Sequence, residues 1–315
     1  MEPHVSVVMP NYNKSDFLSS AIDSVTGQTM PNFELLVVDD ASTDRSVELV
    51  EAMSLGDPRI VLIKQRVRRG AAHCRNVGMM ASKAPYVSFL DSDDVYASDA
   101  LEIMTTVQRK ASSPVVLYSD YWLHDKDGNR LPSWPKACTS SGMIINELMR
   151  QGMAVQENLM VPRVFFGEVG LFNDGIHWGE DTDMVLRLSS RFPFKYVDRQ
   201  LYGYRLHPGN LWNKMSKRQR LALKTPIIEK HYRSNIRSLD MATRQVVGRR
   251  LVNDYFKAHM YREAMVSSVS SPGLFAFYLR LVGGRSLFRS LSAYMLPSGR
   301  AAAGTKSAFD FRRVS

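Results

Sequence analysis

The sequence predicts an α/β protein, a mostly parallel sheet with helices on both faces, followed by a helical, basic C-terminal region. Three observations predict it. Short aliphatic and β-branched runs alternate with segments of helical spacing from Val5 to Lys110. Two of those runs end in acidic clusters, Asp39-Asp40 and Asp91-Ser92-Asp93-Asp94. Charge is also segregated: residues 1–120 carry a net −5, residues 121–208 a net 0, and residues 209–315 a net +15.

The elements follow in order. Val5-Ser6-Val7-Val8-Met9 is a strand ended by Pro10. Asp16 to Gln28 places Phe17, Leu18, Ala21, Ile22 and Val25 at helical spacing, and Asn32 to Val38 is the second strand. Ser42 or Thr43 caps a helix through Val47, Leu49, Val50 and Met53. Arg59 to Lys64 is a third strand, closed by the basic loop Arg66 to Arg69 and by Gly70. A helix from Ala71 to Ala81 leads to a fourth strand, Tyr86 to Leu90. Strands alternating with helices imply right-handed βαβ units. Beyond Asp94 the order loosens. Asp99 to Lys110 is helical, Val115 to Trp122 is a strand, and Asp125-Lys126-Asp127-Gly128 is a turn. Pro132 to Pro135 and Gly142 signal loops. Thr182 to Leu188 is a helix with Met184, Val185 and Leu188 on one face. The first low-complexity tract, Ala301-Ala302-Ala303-Gly304, lies in a tail expected to fray from about residue 298.

Composition narrows the class. A chain of 315 residues with 44% hydrophobic content buries one large core or two smaller ones and is not disordered. Cys74 and Cys138 have no paired spacing, so a zinc pattern is absent and a reducing compartment is expected. The start lacks a basic region ahead of an apolar one, and no uncharged run is long enough to span a bilayer. A cytoplasmic protein is expected, peripheral on the inner face of the membrane if its basic third binds lipid.

Both acidic clusters fall at the carboxyl ends of strands, where open α/β sheets place their ligands. Asp91, Asp93 and Asp94 repel one another unless a cation or a set of donors offsets them. Mg²⁺ or Mn²⁺ carrying a diphosphate would do so, being hard ions with oxygen ligands. Turn and helix-cap chemistry is the plain alternative for one such cluster. It explains two at matching strand ends less well. A dinucleotide-binding domain would need a glycine-rich turn after the first strand, and here that turn is Pro10-Asn11-Tyr12-Asn13-Lys14. No P-loop is present either. Metal bridging from carboxylates, rather than a backbone cradle, is the expected device. Tyr12 offers a flat face for a base, and Asp39 or Asp40 an acceptor for the ring N–H of a uracil or thymine.

In order, Val5 to Asn13, Val37 to Asp44, Gly70 to Asn76 with Arg75-Asn76-Val77-Gly78, and Phe89 to Asp94 resemble the motifs of family 2 glycosyltransferases, inverting enzymes of the GT-A fold. The resemblance covers roughly residues 4 to 210. It implies a domain over residues 1–210, with a nucleotide-sugar half (1–120) and an acceptor half (121–210), followed by the helical region 211–315. It also implies a donor site of Pro10, Tyr12, Asp39, Asp40, Arg69 and Asp91, with Asp40 the better candidate for the ring contact. Asp93, Asp94 and His207 are the implied metal ligands, with the order of Asp93 and Asp94 open. Asp181, in Glu180-Asp181, matches the position of the family's catalytic base. Glu180 and Trp178 are placed on the acceptor side. The signature of processive synthases, Gln-x-x-Arg-Trp, is missing, so one sugar per encounter is expected.

The expected partners are a nucleotide-sugar donor and a glycan or lipid-linked acceptor. An anionic membrane surface is a further expected partner through residues 270–296, where Phe277, Leu281, Phe288, Leu291 and Met295 form a stripe flanked by Arg280 and Arg285. A helix packed on the protein's own body explains that stripe equally well. Nucleic acid is not expected, since the basic residues are scattered and form no known module. Two other functions are weighed. A nucleotidyltransferase would show a Gly-rich basic loop after strand one, which is missing. A non-catalytic module tethered by its tail would not need base-reading, metal and candidate-base carboxylates together.

Overall fold

The computed structural model describes residues 2–132, 138–151, 158–269 and 272–282. The end of the Pro132–Pro135 loop, the stripe beyond Val282 and the tail from 298 lie outside the described residues.

Among the described residues, nine strands form one mixed sheet: β1 Val5–Asn11, β2 Phe33–Asp39, β3 Ile60–Lys64, β4 Tyr86–Phe89, β5 Val95–Tyr96, β6 Val116–His124, β7 Arg130–Leu131, β8 Leu159–Pro162 and β9 Phe194–Arg205. The order is β3-β2-β1-β4-β8-β6-β9-β5, with β7 paired to β6. The block β3-β2-β1-β4 is parallel, as the βαβ alternation predicts. Beyond it, β8 is antiparallel to both β4 and β6, while β6 and β9 run parallel. The sheet thus carries more antiparallel pairing than the alternation alone indicates. Register aligns the parallel strand ends, with Asn11 opposite Asp39 and Asp39 opposite Lys64.

The helices of the α/β body are α1 Ser15–Thr26, α2 Ser46–Gly56, α3 Ala71–Ala81, α4 Ala100–Lys110, α5 Ile145–Gln151, α6 Phe166–Val169 and α7 Glu180–Ser189. The C-terminal ones are α8 Leu211–Lys214, α9 Lys217–Asn235, α10 Met241–Lys257, α11 Tyr261–Ser268 and α12 Pro272–Val282. Ser216 and Gln219 form a reciprocal capping box that starts α9, and Asp240 caps α10 through the Thr243 amide at 2.6 Å.

Strand periodicity divides the interior. Val5, Val7 and Met9 of β1 face one core with Leu18, Ile22 and Val25 of α1, while Val8 faces the other with Ala72 and Met79 of α3. The helix α3 lies very close to the sheet: a Cβ on Gly78 would come within 2.4 Å of Val8 Cγ1. The second core also takes in Ile228 and Tyr232 of α9 and Val247 and Leu251 of α10, so these helices are seated on the α/β body. In α12, Leu274 and Tyr278 are buried against α10 and α11, and Phe277 and Leu281 are partly buried there. Over its described length the apolar stripe packs on the protein itself. No helix among the described residues is long and apolar enough to cross a membrane.

Candidate active site

The cleft begins where β1 and β2 end. Asn11 donates through Nδ2 to Asp39 Oδ1 at 2.8 Å, and the Ser42 amide and hydroxyl donate to the same carboxylate at 2.9 and 2.6 Å. Asp40 accepts the Arg69 and Gly70 amides, both at 2.8 Å, and so fixes the end of the basic loop ahead of α3. Buried carboxylates need such donors. Both members of the pair therefore shape loops around the expected base pocket. Pro10 is buried on β1 opposite Val38. Tyr12 presents its ring at the strand end, and the Arg68 guanidinium lies 4.0 Å over it.

The second acidic cluster follows β4. Asp91, Asp93 and Asp94 each offer a carboxylate oxygen, and these atoms lie within 4.8 Å of one another. The set fits a hard divalent cation, all oxygen and anionic. Their surroundings differ sharply. Asp94 is 1% exposed and accepts Tyr202 Oη at 2.6 Å and the Arg205 amide at 2.8 Å. Burial, with the charges of Asp93 and Asp91 beside it, pushes its carboxyl well above the usual range. Asp93 is also nearly buried, and burial alone would raise it. The His207 hydrogen bond and the Lys14 charge outweigh burial and hold it below the usual range. Like charges side by side are thus separated into one ionised carboxylate and one more readily protonated.

His207 Nε2 lies 2.9 Å from Asp93 Oδ2, while the Gly209 amide donates to its Nδ1 at 3.1 Å. An Nδ1 that accepts leaves the ring proton on Nε2, pointing at Asp93. In this arrangement His207 supports Asp93, and direct ligation by Nε2 would require that proton to leave. Lys14 Nζ meets the same oxygen, Asp93 Oδ2.

Across the cleft, Gly179 takes a left-handed conformation (φ 89°) just before α7, and Glu180 and Asp181 open that helix. Arg75 on α3 is 3% exposed and bridges the two sides: Nη2 donates to Asp91 at 2.7 Å and Nη1 to Glu180 at 2.8 Å. Asn76, next to it, exchanges two 2.8 Å hydrogen bonds with the Phe172 backbone, and Arg69 reaches Asp174 at 3.0 Å. Burial, together with the charge of Asp181, raises the Glu180 carboxyl despite the Arg75 charge opposing it. Asp181 is partly exposed, with Trp178 nearby in the chain also partly exposed. Beneath them, α9 packs close enough for Ile227 to lie 3.1 Å from a Cβ placed on Gly179.

The fold therefore brings the strand-end carboxylates, His207 and Glu180-Asp181 to one cleft. Arg69 is the exception in detail: its amide is held by Asp40 and its side chain is spent on Asp174. Lys14 and the bridging role of Arg75 are not read from the sequence. Arg75 stands in the motif Arg75-Asn76-Val77-Gly78, and its position one turn into a helix after a basic loop is the only signal. Lys14 gave none.

The family described as "Glycosyl transferase family 2" matches residues 6–142. Glycosyltransferase GlyG of Streptococcus pneumoniae serotype 4 is 33% identical over 225 residues, 67% of this chain and 73% of that protein. The chain belongs to glycosyl transferase family 2. As a family 2 member it is a glycosyltransferase. Several longer relatives are matched over only 30% to 34% of their own length. Two solved structures share the fold. S. aureus TarS 1–349 in complex with UDP-GlcNAc aligns with a TM-score of 0.64 at 18% identity, covering 81% of this chain and 73% of that one. The mannosyltransferase PcManGT of Pyrobaculum calidifontis, in complex with GDP-Man and Mn²⁺, gives 0.58 at 15% identity, with 95% and 82% covered. The family match ends at residue 142, before Glu180, Asp181 and His207.

Proposed function

We propose that this enzyme transfers a single sugar from a UDP-linked donor to a hydroxyl of a cell-envelope glycan or lipid-linked acceptor, with inversion at the anomeric carbon. The observation that carries this reading is the Arg75 bridge, which sets the candidate base pair Glu180-Asp181 beside the carboxylate cluster expected to meet the donor diphosphate. The complexes of TarS with UDP-GlcNAc and of PcManGT with GDP-Man support a nucleotide-sugar donor.

Asp181 is the proposed base. Glu180 is tied to Arg75, whereas Asp181, beside it at the helix start and equally part-exposed, is not held by that bridge. An acceptor hydroxyl is a weak nucleophile at neutral pH until its proton is taken as the bond forms. Asp181 accepts that proton while the hydroxyl oxygen attacks the anomeric carbon from the face opposite the nucleotide. The bond from that carbon to the diphosphate oxygen breaks, and its electron pair leaves with the nucleoside diphosphate. When bound, a divalent ion held by Asp91 and Asp93 supplies charge neutralisation for the leaving diphosphate. Tyr12 stacks on the base, and the Asp39-Asp40 segment gives its edge an acceptor.

The test is a panel of UDP- and GDP-linked sugars with Mn²⁺. Melting temperature is read first, and the anomeric configuration of the product is then read by NMR. One UDP-sugar should stabilise the protein and give a product of inverted configuration. A retained configuration, or stabilisation by no nucleotide-sugar, would overturn the proposal.

A further inference from the structure

Lys14 is placed by rigid backbone. It follows Asn13, whose positive φ of 50° turns the chain out of β1. Asn13 Oδ1 accepts the Thr43 amide at 2.8 Å, and the Lys14 amide donates to Ser46 Oγ at 3.3 Å. The Lys14 carbonyl in turn receives the Phe17 and Leu18 amides, both at 2.9 Å, at the start of α1. The backbone is therefore pinned from two directions, while the four-carbon stem retains its own torsions. That stem carries the ammonium across 79 residues of sequence to Asp93 Oδ2, the oxygen that His207 also meets. Asp91 has a cation of its own in Arg75, and Asp94 has Tyr202 and the Arg205 amide. Each carboxylate of the cluster thus has a donor from within the chain. Of these donors, Lys14 is a flexible and partly exposed cation, its side chain 25% exposed against 3% for Arg75.

We propose that Lys14 is a tethered cation that holds Asp93 while the donor is absent and competes with a divalent ion for that carboxylate. The metal then binds weakly alone and firmly only with a nucleoside diphosphate, whose charges add to the attraction and let the ion displace the ammonium. The inference rests on the metal-and-donor reading above and adds the residue that couples the two ligands.

Competition makes a prediction opposite to that for an ordinary site residue: removing Lys14 improves metal binding. Mn²⁺ affinity of the full chain is measured by the EPR signal of the free ion, with no donor, for wild type, Lys14→Met and Lys14→Arg. Removing a unit charge in contact with the ligand should tighten Mn²⁺ binding by about tenfold or more in Lys14→Met. Lys14→Arg keeps the charge and should stay within about threefold of wild type. Adding UDP should tighten Mn²⁺ binding strongly in wild type and much less in Lys14→Met. Equal or weaker Mn²⁺ binding by Lys14→Met, with an unchanged melting temperature, would overturn the proposal. So would a Lys14→Arg variant that gains as much as Lys14→Met. Failure of UDP to bind any of the three would strike the donor assignment instead, and the metal-only comparison would still decide the role of Lys14.

Discussion

Arg75 donates to Glu180 across 2.8 Å, joining positions 105 residues apart in the chain and closing the cleft from the α3 side. Its other terminal nitrogen holds Asp91, so one guanidinium spans the expected donor and acceptor sides. A planar fork does this; a point charge does not. Arg75→Lys should keep the fold but lower the transfer rate by about ten- to a hundredfold, because only one carboxylate can be held well. Arg75→Met should lower stability in denaturant titration, since it leaves two partly buried acids without their shared cation. A lysine variant with wild-type kinetics would show that the bridge only maintains the fold.

Asp181→Asn tests the base. Asparagine caps a helix as well as aspartate and accepts no proton, so melting temperature and donor affinity should hold while transfer slows by at least about a hundredfold. Near-normal turnover would move the base to another acid of the first turn of α7.

The two inner acids of the cluster should separate cleanly. Asp93→Asn removes an ionised carboxylate and should abolish measurable Mn²⁺ binding with UDP present. Asp94→Asn should do the reverse, retaining Mn²⁺ binding and losing stability. Its amide must serve both Tyr202 and the Arg205 amide, and one of those donors would then face an NH₂ group. Calorimetry with Mn²⁺ and UDP reads the first effect and thermal melts the second; an exchange of the two phenotypes would assign the metal to Asp94.

Asp183 predicts a pH dependence. Its side chain is 1% exposed, and burial alone would raise its carboxyl. The His231 hydrogen bond at 2.8 Å and the charges of Arg187, His231 and Lys230 overcome burial and hold it at about 2. A carboxyl lowered by folding stabilises the native state above its unfolded value. That contribution fades as pH falls through the folded value. Between about pH 4 and pH 2, wild type should therefore lose stability more steeply than Asp183→Asn, which is already weaker at neutral pH. Parallel curves over that window would remove Asp183 from the acid response.

Removing residues 270–315 strips Tyr278 from the small core with Val252, Tyr255 and Met265, and Leu274 from its seat against Gly248 of α10. The melting temperature should fall while UDP affinity stays within about twofold, because α12 lies away from the strand ends. An unchanged melting temperature, together with loss of binding to anionic vesicles, would return the stripe to a role at the lipid surface.

The parallel half of the sheet was legible because each strand is a continuous apolar run ended by turn residues. The acidic clusters were legible because they close such runs. The antiparallel half was much less so. In β9, charged and polar residues such as Lys195, Asp198, Arg199 and Gln200 interrupt the pattern, and its pairing with β6 shifts register between Ser119 and Tyr121. Only His207, two residues past its end, is marked, by resemblance. Lys14 and the reach of Arg75 were hidden for a different reason. A cation's function here is fixed by which carboxylate the fold delivers to it, across 79 and 105 residues, and no local spacing encodes that. The stripe near the C-terminus had the right period and an ambiguous partner, and α12 resolves it toward α10 and α11 over the described residues.

Gly78 sits one turn after Arg75 on α3, where a side chain would run into Val8 of the central strand. The clearance between this helix and the sheet is smaller than one methyl group. Any residue larger than glycine would act as a shim, lifting the helix and carrying the guanidinium out of reach of both carboxylates at once. Catalytic alignment in this enzyme is therefore set partly from below, by a dimension in the hydrophobic core. Attempts to retune donor or acceptor choice through the loops would succeed only while that spacing is kept.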